Sequence, residues 1–178
     1  MPGRTPAEAY RAFIEPLEAA IACLGTAKVT RSHDGMHPGG IRAWNLNGGS
    51  GMALSGAMLF EAAMQYEIVP FAEGWRVTTH AYMYGLLRRG EECFAIHWHP
   101  AGRSPHRGPH VHLPLEGARG DIRKQHLPTG RMTLEDAVAW AVAFGVAPVR
   151  ADWAEILDGS RALHVRHRSW NADPESGV

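Results

Sequence analysis

Histidine is concentrated in one part of this sequence. Six of the eleven histidines lie within residues 97–126, and four of these form two His-x-His units, at residues 97–99 and 110–112. Side chains two residues apart on a β-strand point to the same face of a sheet. If the two units lie on neighbouring strands, four imidazoles converge on one pocket. The candidate catalytic residues are therefore His97, His99, His110 and His112.

Two chemistries suit four converging imidazoles. Neutral imidazole is a common ligand of transition metals, so three of the four could hold Zn, Fe, Mn or Ni and leave a position for water. An imidazole also has an ordinary pKa near 6.5, which suits a general base and a general acid acting on a phosphodiester. The pattern favours a hydrolase acting on RNA or a nucleotide. A metal-dependent enzyme with a small-molecule substrate is the alternative.

Basic residues accompany the histidines. Residues 86–131 contain eight Arg or Lys against four Asp or Glu, although the whole chain carries 18 residues of each sign. Three candidate anion-binding residues precede a predicted helix start at Thr133, and helix N-termini favour anions. We therefore expect Lys124, His126 and Arg131 to bind the substrate.

The sequence predicts strands that place the histidines. Alternating patterns over Trp75 to Leu87, Cys93 to His99 and Pro109 to Pro114 predict three consecutive strands. In the first strand, Tyr82 and Tyr84 are expected beside the histidines. There they could stack on a base or donate a hydrogen bond to an oxyanion, which makes Tyr82 a candidate catalytic residue and Tyr84 a candidate substrate-binding residue. The alternative is an aromatic pair that fills a sheet face under a loop.

Helices are predicted at both ends of the chain. Residues 5–8 (Thr-Pro-Ala-Glu) form a capping box, and Pro16 predicts a kink or two abutting helices. A second helix is predicted from Thr133 to Gly145, and a shorter one over Asp152 to Leu157 that ends at Gly159.

These elements predict one α+β domain with a central antiparallel sheet, a meander of about four strands, flanked by N- and C-terminal helices. The expected order is a helical segment (1–25), a loop-rich segment (26–56) with at most one short strand, the sheet (57–115) and the C-terminal helices (132–160). Residues 58–69 read as a further strand or a helix. The domain is expected to span residues 1–170, with a tail at 171–178.

Composition excludes several classes of protein. Hydrophobic residues make up 45% and charged residues 20% of 178 residues, which is typical of a globular chain and excludes a disordered one. A net charge of zero provides no overall attraction to nucleic acid or membranes. Cys23 and Cys93 form no CxxC pair and are expected to be buried free thiols. With no signal peptide or membrane span in the sequence, we expect a cytoplasmic protein.

Residues 80–143 resemble the core of TumE-type toxins of prokaryotic toxin–antitoxin operons. The shared order is a Tyr-x-Tyr strand at residues 82–84, a His-rich strand pair ending in Pro-His-x-His at residues 109–112, and a helix led by Leu134 and Glu135. The resemblance implies an RNA-directed toxin with a cognate antitoxin as its partner. A third hypothesis is a non-enzymatic binding module whose histidines form a partner surface.

Overall fold

Nine β-strands in the described part of the chain form one sheet, which dominates the fold. The computed structural model describes residues 2–32, 36–101, 106–114, 126–167 and 169–170. The strands are β1 (Val29–Arg31), β2 (Arg42–Leu46), β3 (Met52–Leu54), β4 (Met58–Phe71), β5 (Gly74–Arg88), β6 (Glu91–Trp98), β7 (His110–His112), β8 (Leu127–Pro128) and β9 (Ser169–Trp170). The helices are α1 (Pro6–Ala22), α2 (Leu134–Ala143) and α3 (Trp153–His167).

The sheet follows the order β1-β2-β4-β5-β6-β7-β8, and β3 pairs with β4. All pairs are antiparallel except the short pairing of β5 with β9. The predicted α+β class and antiparallel sheet are confirmed, whereas the count of about four strands is wrong. The expected loop-rich segment contains β1, β2 and β3, because its glycines occupy the turns between short strands. Gly48 (φ 70°), Gly51 (φ 70°) and Gly56 (φ 69°) all adopt left-handed backbone there.

Two long hairpins form the centre of the sheet. Strand β4 pairs with β5 along its whole length, from Met58 opposite Arg88 to Phe71 opposite Gly74. The open choice between strand and helix for residues 58–69 is thus resolved as a strand. Between β5 and β6, Arg89 (φ 54°) and Gly90 (φ 81°) form the two-residue turn. Two successive positive φ angles match the right-handed twist of the strands that they join.

One face of the sheet is covered by the helices. Helix α1 packs against β4 and β5, α2 against β5, and α3 against α1 and α2. The core between them contains fully buried side chains from both layers, among them Leu17, Trp44, Tyr84, Trp98 and Leu134. We call this the core face, and the opposite side of the sheet the outer face.

The helices begin as predicted and end differently. Thr5 and Thr133 each form a complete capping box. The sequence predicts either a kink or two abutting helices at Pro16. The structure has a single helix α1 that contains Pro16. Helix α3 continues past Gly159 to His167, and its Ser160 hydroxyl lies 3.0 Å from the Pro16 carbonyl oxygen and also contacts buried Glu135. Packing of this kind outweighs the cost of about 1 kcal/mol for one helical glycine.

Cys23 is buried as predicted, Cys93 is only partly buried, and both are free thiols. Among the described helices, none combines the length and the hydropathy that crossing a membrane requires. The predicted tail at 171–178 lies outside the described residues.

Candidate functional site

Strand alternation directs the histidines to the outer face. In β6, Ile96 and Trp98 are fully buried in the core, so His97 between them points outward. In β7, Val111 faces the core, while His110 and His112 on either side point outward. Because β6 and β7 pair with His97 opposite His110, the two His-x-His units meet, as their spacing predicts.

The ring separations show how closely the four histidines approach one another. The His97 ring centroid lies 4.9 Å from that of His112 and 5.6 Å from that of His110. The His99 ring lies 5.8 Å from His97 and 5.5 Å from His110. Three of them, His97, His110 and His112, each offer a ligand atom within 4.8 Å of the others.

His110 has the most constrained environment of the four. The residue is 2% exposed, and its Nδ1 lies 2.9 Å from the carbonyl oxygen of Gly108. A carbonyl only accepts hydrogen bonds, so Nδ1 carries the proton and Nε2 of the neutral ring carries a lone pair. That Nε2 is buried and has no hydrogen-bond partner among the described residues. The ring is held in the tautomer and orientation of a metal ligand.

The site favours uncharged imidazoles. Burial, followed by the neighbouring histidines, lowers the pKa of His97 to about 4. Burial also lowers the pKa of His99, with a further contribution from His110. The pKa of His112 is lowered by burial and then by His126 and His110. The charged form is disfavoured because each ring would repel its neighbours in a partly desolvated setting.

Two further histidines complete the group. His126 was predicted to bind substrate, and it lies against the catalytic candidates, with its Nδ1 3.1 Å from Nε2 of His112. His106, which sequence analysis did not select, stacks on His126 with ring centroids 4.1 Å apart. The signal that could have found it was its position in the short segment between the two His-x-His units. We call these six residues the histidine cluster, defined as His97, His99, His106, His110, His112 and His126.

The expected placement of Tyr82 and Tyr84 beside the histidines is wrong. Tyr82 pairs with Trp98 and Tyr84 with Ile96, so both tyrosines lie on the core face and are buried. The Tyr82 hydroxyl oxygen accepts a hydrogen bond from the Met132 backbone N–H at 2.9 Å. Both side chains therefore pack in the core, facing away from the histidine cluster.

A β-bulge explains this reversal. Gln65 of β4 pairs with Ala81 of β5, whereas the next residue, Tyr66, pairs with Thr79, which leaves His80 as an extra residue. An extra residue inverts the alternation of the strand beyond it. Met83 is consequently 43% exposed on the outer face and pairs with His97.

Arg131, one of the predicted cationic residues, does not lie with the histidines. The Arg131 guanidinium lies 4.4 Å from the centre of the Trp98 ring, on the core side of the sheet. Its expected role beside the histidines is therefore not supported by its position. Lys124 lies outside the described residues.

Other polar residues share the outer face. Glu67 lies between core-facing Tyr66 and Ile68, and its carboxylate oxygen is 3.1 Å from Nε2 of His80, the bulge residue. Glu61 is close enough to Glu92 to help burial raise the pKa of Glu92. The outer face thus presents carboxylates on β4 and β6 in addition to the histidines.

Comparison with known proteins does not assign the chain to a class. No protein-family model matches it, and neither a curated protein nor a solved structure matches significantly. The geometry of the histidine cluster is therefore the guide to its function.

Proposed function

We propose that this chain is a divalent-metal-dependent enzyme that hydrolyses a small-molecule substrate, with His97, His110 and His112 as the metal ligands. One observation carries the proposal. His110 holds a buried Nε2 lone pair, fixed by the bond from Nδ1 to Gly108, and one ring nitrogen each of His97, His110 and His112 lies within 4.8 Å of the others. Three nitrogen ligands from the protein are typical of catalytic zinc sites, which keep a fourth position open.

The spacing of the ligand atoms supports this proposal. Nitrogens bound to one tetrahedral zinc ion at the usual bond length lie about 3.3 Å apart. The three ligand atoms here lie within 4.8 Å of one another, so side-chain movements on the order of 1 Å bring them onto one ion. Two ligands on β7 and one directly across on β6 form a rigid base for such a site.

The electrostatics of His97 favour metal binding over proton donation by this residue. Metal ions bind the deprotonated ring, and His97, with its pKa lowered to about 4, is deprotonated at neutral pH. The same shift makes His97 a poor general acid, because a general acid must carry its proton at the working pH. A nitrogen-only ligand set suits Zn²⁺, Cu²⁺, Ni²⁺ or Fe²⁺ better than Mg²⁺ or Ca²⁺.

Among the described residues, the surroundings of the proposed ligands favour a small substrate over a polyanion. Arg131, which was expected to neutralise phosphate, lies on the core face, while exposed Met83 lies directly beside His97. A bound divalent ion would supply a Lewis acid and an activated water. His99, partly buried and neutral, would take up the proton of that water. An RNA-directed toxin activity and a non-enzymatic binding role remain predictions from the sequence.

The proposal is tested by metal analysis of protein purified without a histidine tag. We expect about one ion per chain after incubation with zinc and gel filtration, and its loss in His97→Ala and His110→Asn. Asparagine at position 110 retains a donor for the Gly108 carbonyl and lacks Nε2, so it separates ligand loss from misfolding. His37→Ala, at an exposed position outside the cluster, is the matched control and should bind zinc like the wild type.

Absence of metal binding by the wild type would contradict the proposal. If the wild type holds none of Zn²⁺, Cu²⁺, Ni²⁺, Co²⁺ or Fe²⁺ with micromolar or better affinity, the histidine cluster is not a metal centre. Retention of zinc by His110→Asn would equally exclude the proposed ligand set.

A further inference from the structure

The contact between His112 and His126 remains unexplained by a three-ligand centre. Nε2 of His112 and Nδ1 of His126 lie 3.1 Å apart, which is the distance of an N–H···N hydrogen bond. The contact joins the end of β7 to the residue that precedes β8, and both rings are partly buried. A hydrogen bond between these two nitrogens requires one ring to donate its N–H, and either ring can be the donor.

The two directions of this bond have different consequences for His112. If His126 donates, Nε2 of His112 is the acceptor, and the Nδ1 of a neutral His112 carries the other proton and cannot bind a metal. If His112 donates through Nε2, its Nδ1 carries the lone pair and is available as a ligand. Only the second direction is compatible with a ligand role for His112.

We propose that His126 is a positioning residue that accepts the Nε2 proton of His112 and thereby presents Nδ1 of His112 to the metal. The inference rests on the proposed function, since it explains how one of the three ligands is oriented. His126 then does for His112 what the Gly108 carbonyl does for His110: it holds the proton on one ring nitrogen and leaves the lone pair on the other. His110 binds through Nε2 and His112 through Nδ1.

The other contacts of His126 are consistent with this role. Its ring stacks on exposed His106 with an interplanar angle of 19°, which leaves the edge that bears Nδ1 directed at His112. The His126 ring centroid is also 4.6 Å from that of buried His110. A ring packed between these neighbours accepts the bond in a fixed orientation and loses little further freedom when the metal binds.

The first test reads the tautomer of His112 directly and requires no metal. In ¹⁵N-labelled metal-free protein near pH 8, nitrogen chemical shifts should assign the proton of His112 to Nε2. The Nε2–H form should lose its predominance in His126→Ala. A wild-type His112 protonated at Nδ1 would overturn the proposal, whatever the protein does with metals.

The second test measures zinc affinity by competition with a chelating dye. Loss of such an outer hydrogen-bond partner typically weakens metal binding about 10–100-fold, so His126→Ala should fall in that range. His126→Asn should restore the affinity to within about 3-fold, because its side-chain oxygen takes the place of Nδ1 as acceptor. His37→Ala, which removes an exposed imidazole outside the histidine cluster, is the matched control and should bind zinc like the wild type.

Other results of the affinity measurement would contradict the positioning role or the proposed function. Unchanged affinity in His126→Ala would show that His112 needs no such partner. Two zinc ions per wild-type chain, with one lost in His126→Ala, would make His126 a ligand of a second ion. A wild type without metal would refute the proposed function, and the tautomer measurement would still decide the direction of the bond.

Discussion

Two neighbouring residues of β6 illustrate how differently the two faces of the sheet are used. Trp98 is fully buried on the core face, where Arg131 stacks on its ring and Tyr82 lies 5.8 Å away. His97 points to the outer face and meets other imidazoles, with its pKa lowered to about 4. One face is stabilised by close packing, and the other holds nitrogen lone pairs near one another. Stability and ligand binding should therefore respond to different substitutions.

The largest expected effect is on the core face. Trp98→Ala should lower the free energy of unfolding by about 3–5 kcal/mol, because it leaves a cavity among packed aromatic rings. His97→Ala, one residue away, should change it by less than about 1 kcal/mol and abolish zinc binding. Urea unfolding followed by tryptophan fluorescence or circular dichroism measures both. Similar losses of stability in the two variants would show that the faces are not separable.

The second effect concerns the outer face at acid pH. In metal-free protein, the unfolded state takes up a proton at His97 as the pH falls through 6.5, whereas the folded state resists protonation until about pH 4. Stability should therefore decrease between these values, at up to about 1.4 kcal/mol per pH unit. Water around the half-buried ring screens part of this effect, so the total is on the order of 2 kcal/mol.

This acid sensitivity is measured by urea midpoints of chelator-treated protein at pH 7.0, 5.5 and 4.5. His97→Asn should show a shallower decrease, since it removes the group with the most strongly lowered pKa. A midpoint of the wild type that stays constant across this range would contradict the description of the outer face.

The third effect concerns Tyr82, which lies on the core face and not beside the histidines. Tyr82→Phe removes the acceptor of the Met132 N–H and should cost about 1–2 kcal/mol of stability. Zinc affinity should remain unchanged, because the hydroxyl faces away from the histidine cluster. Weaker zinc binding together with unchanged stability would restore Tyr82 to the candidate site.

The contrast between the faces also explains what could be predicted from the sequence. His97 and His110 were predicted correctly as neighbours, because core-facing Trp98 and Val111 define the alternation within each short strand. Tyr82 was misplaced because a bulge depends on the pairing partner. The extra residue His80 is recognised only from the register of β5 against β4.

Other features were missed because they too depend on contacts between residues distant in sequence. Strands β1 and β3 are three residues long and are stabilised by their neighbours in the sheet, so they carry no periodic signal of their own. His106 reaches the histidine cluster through tertiary contacts with His126 and His110, which no local pattern records. Helix α3 passes Gly159 because buried His164 and Ser160 anchor its later turns.

The smallest expected effect concerns the acidic part of the outer face. Burial, followed by repulsion from Glu61, raises the pKa of Glu92. A carboxyl whose pKa is raised on folding favours the folded state while protonated, and this contribution is lost as the pH rises through the folded-state pKa. At pH 7 the ionised side chain therefore opposes folding. Glu92→Gln should raise the urea midpoint slightly at pH 7 and leave it unchanged below pH 4.

Glu91→Gln, at the adjacent residue where β6 begins, is the matched control for loss of one negative charge. If both variants shift the midpoint equally, the effect reflects the net charge of the protein and not the repulsion between Glu92 and Glu61. A specific effect of Glu92 would show that its carboxylate, like the ring of His97, lies in surroundings that disfavour its charge. Such surroundings stabilise the protein less than the core face does, and they are suited to binding a cation.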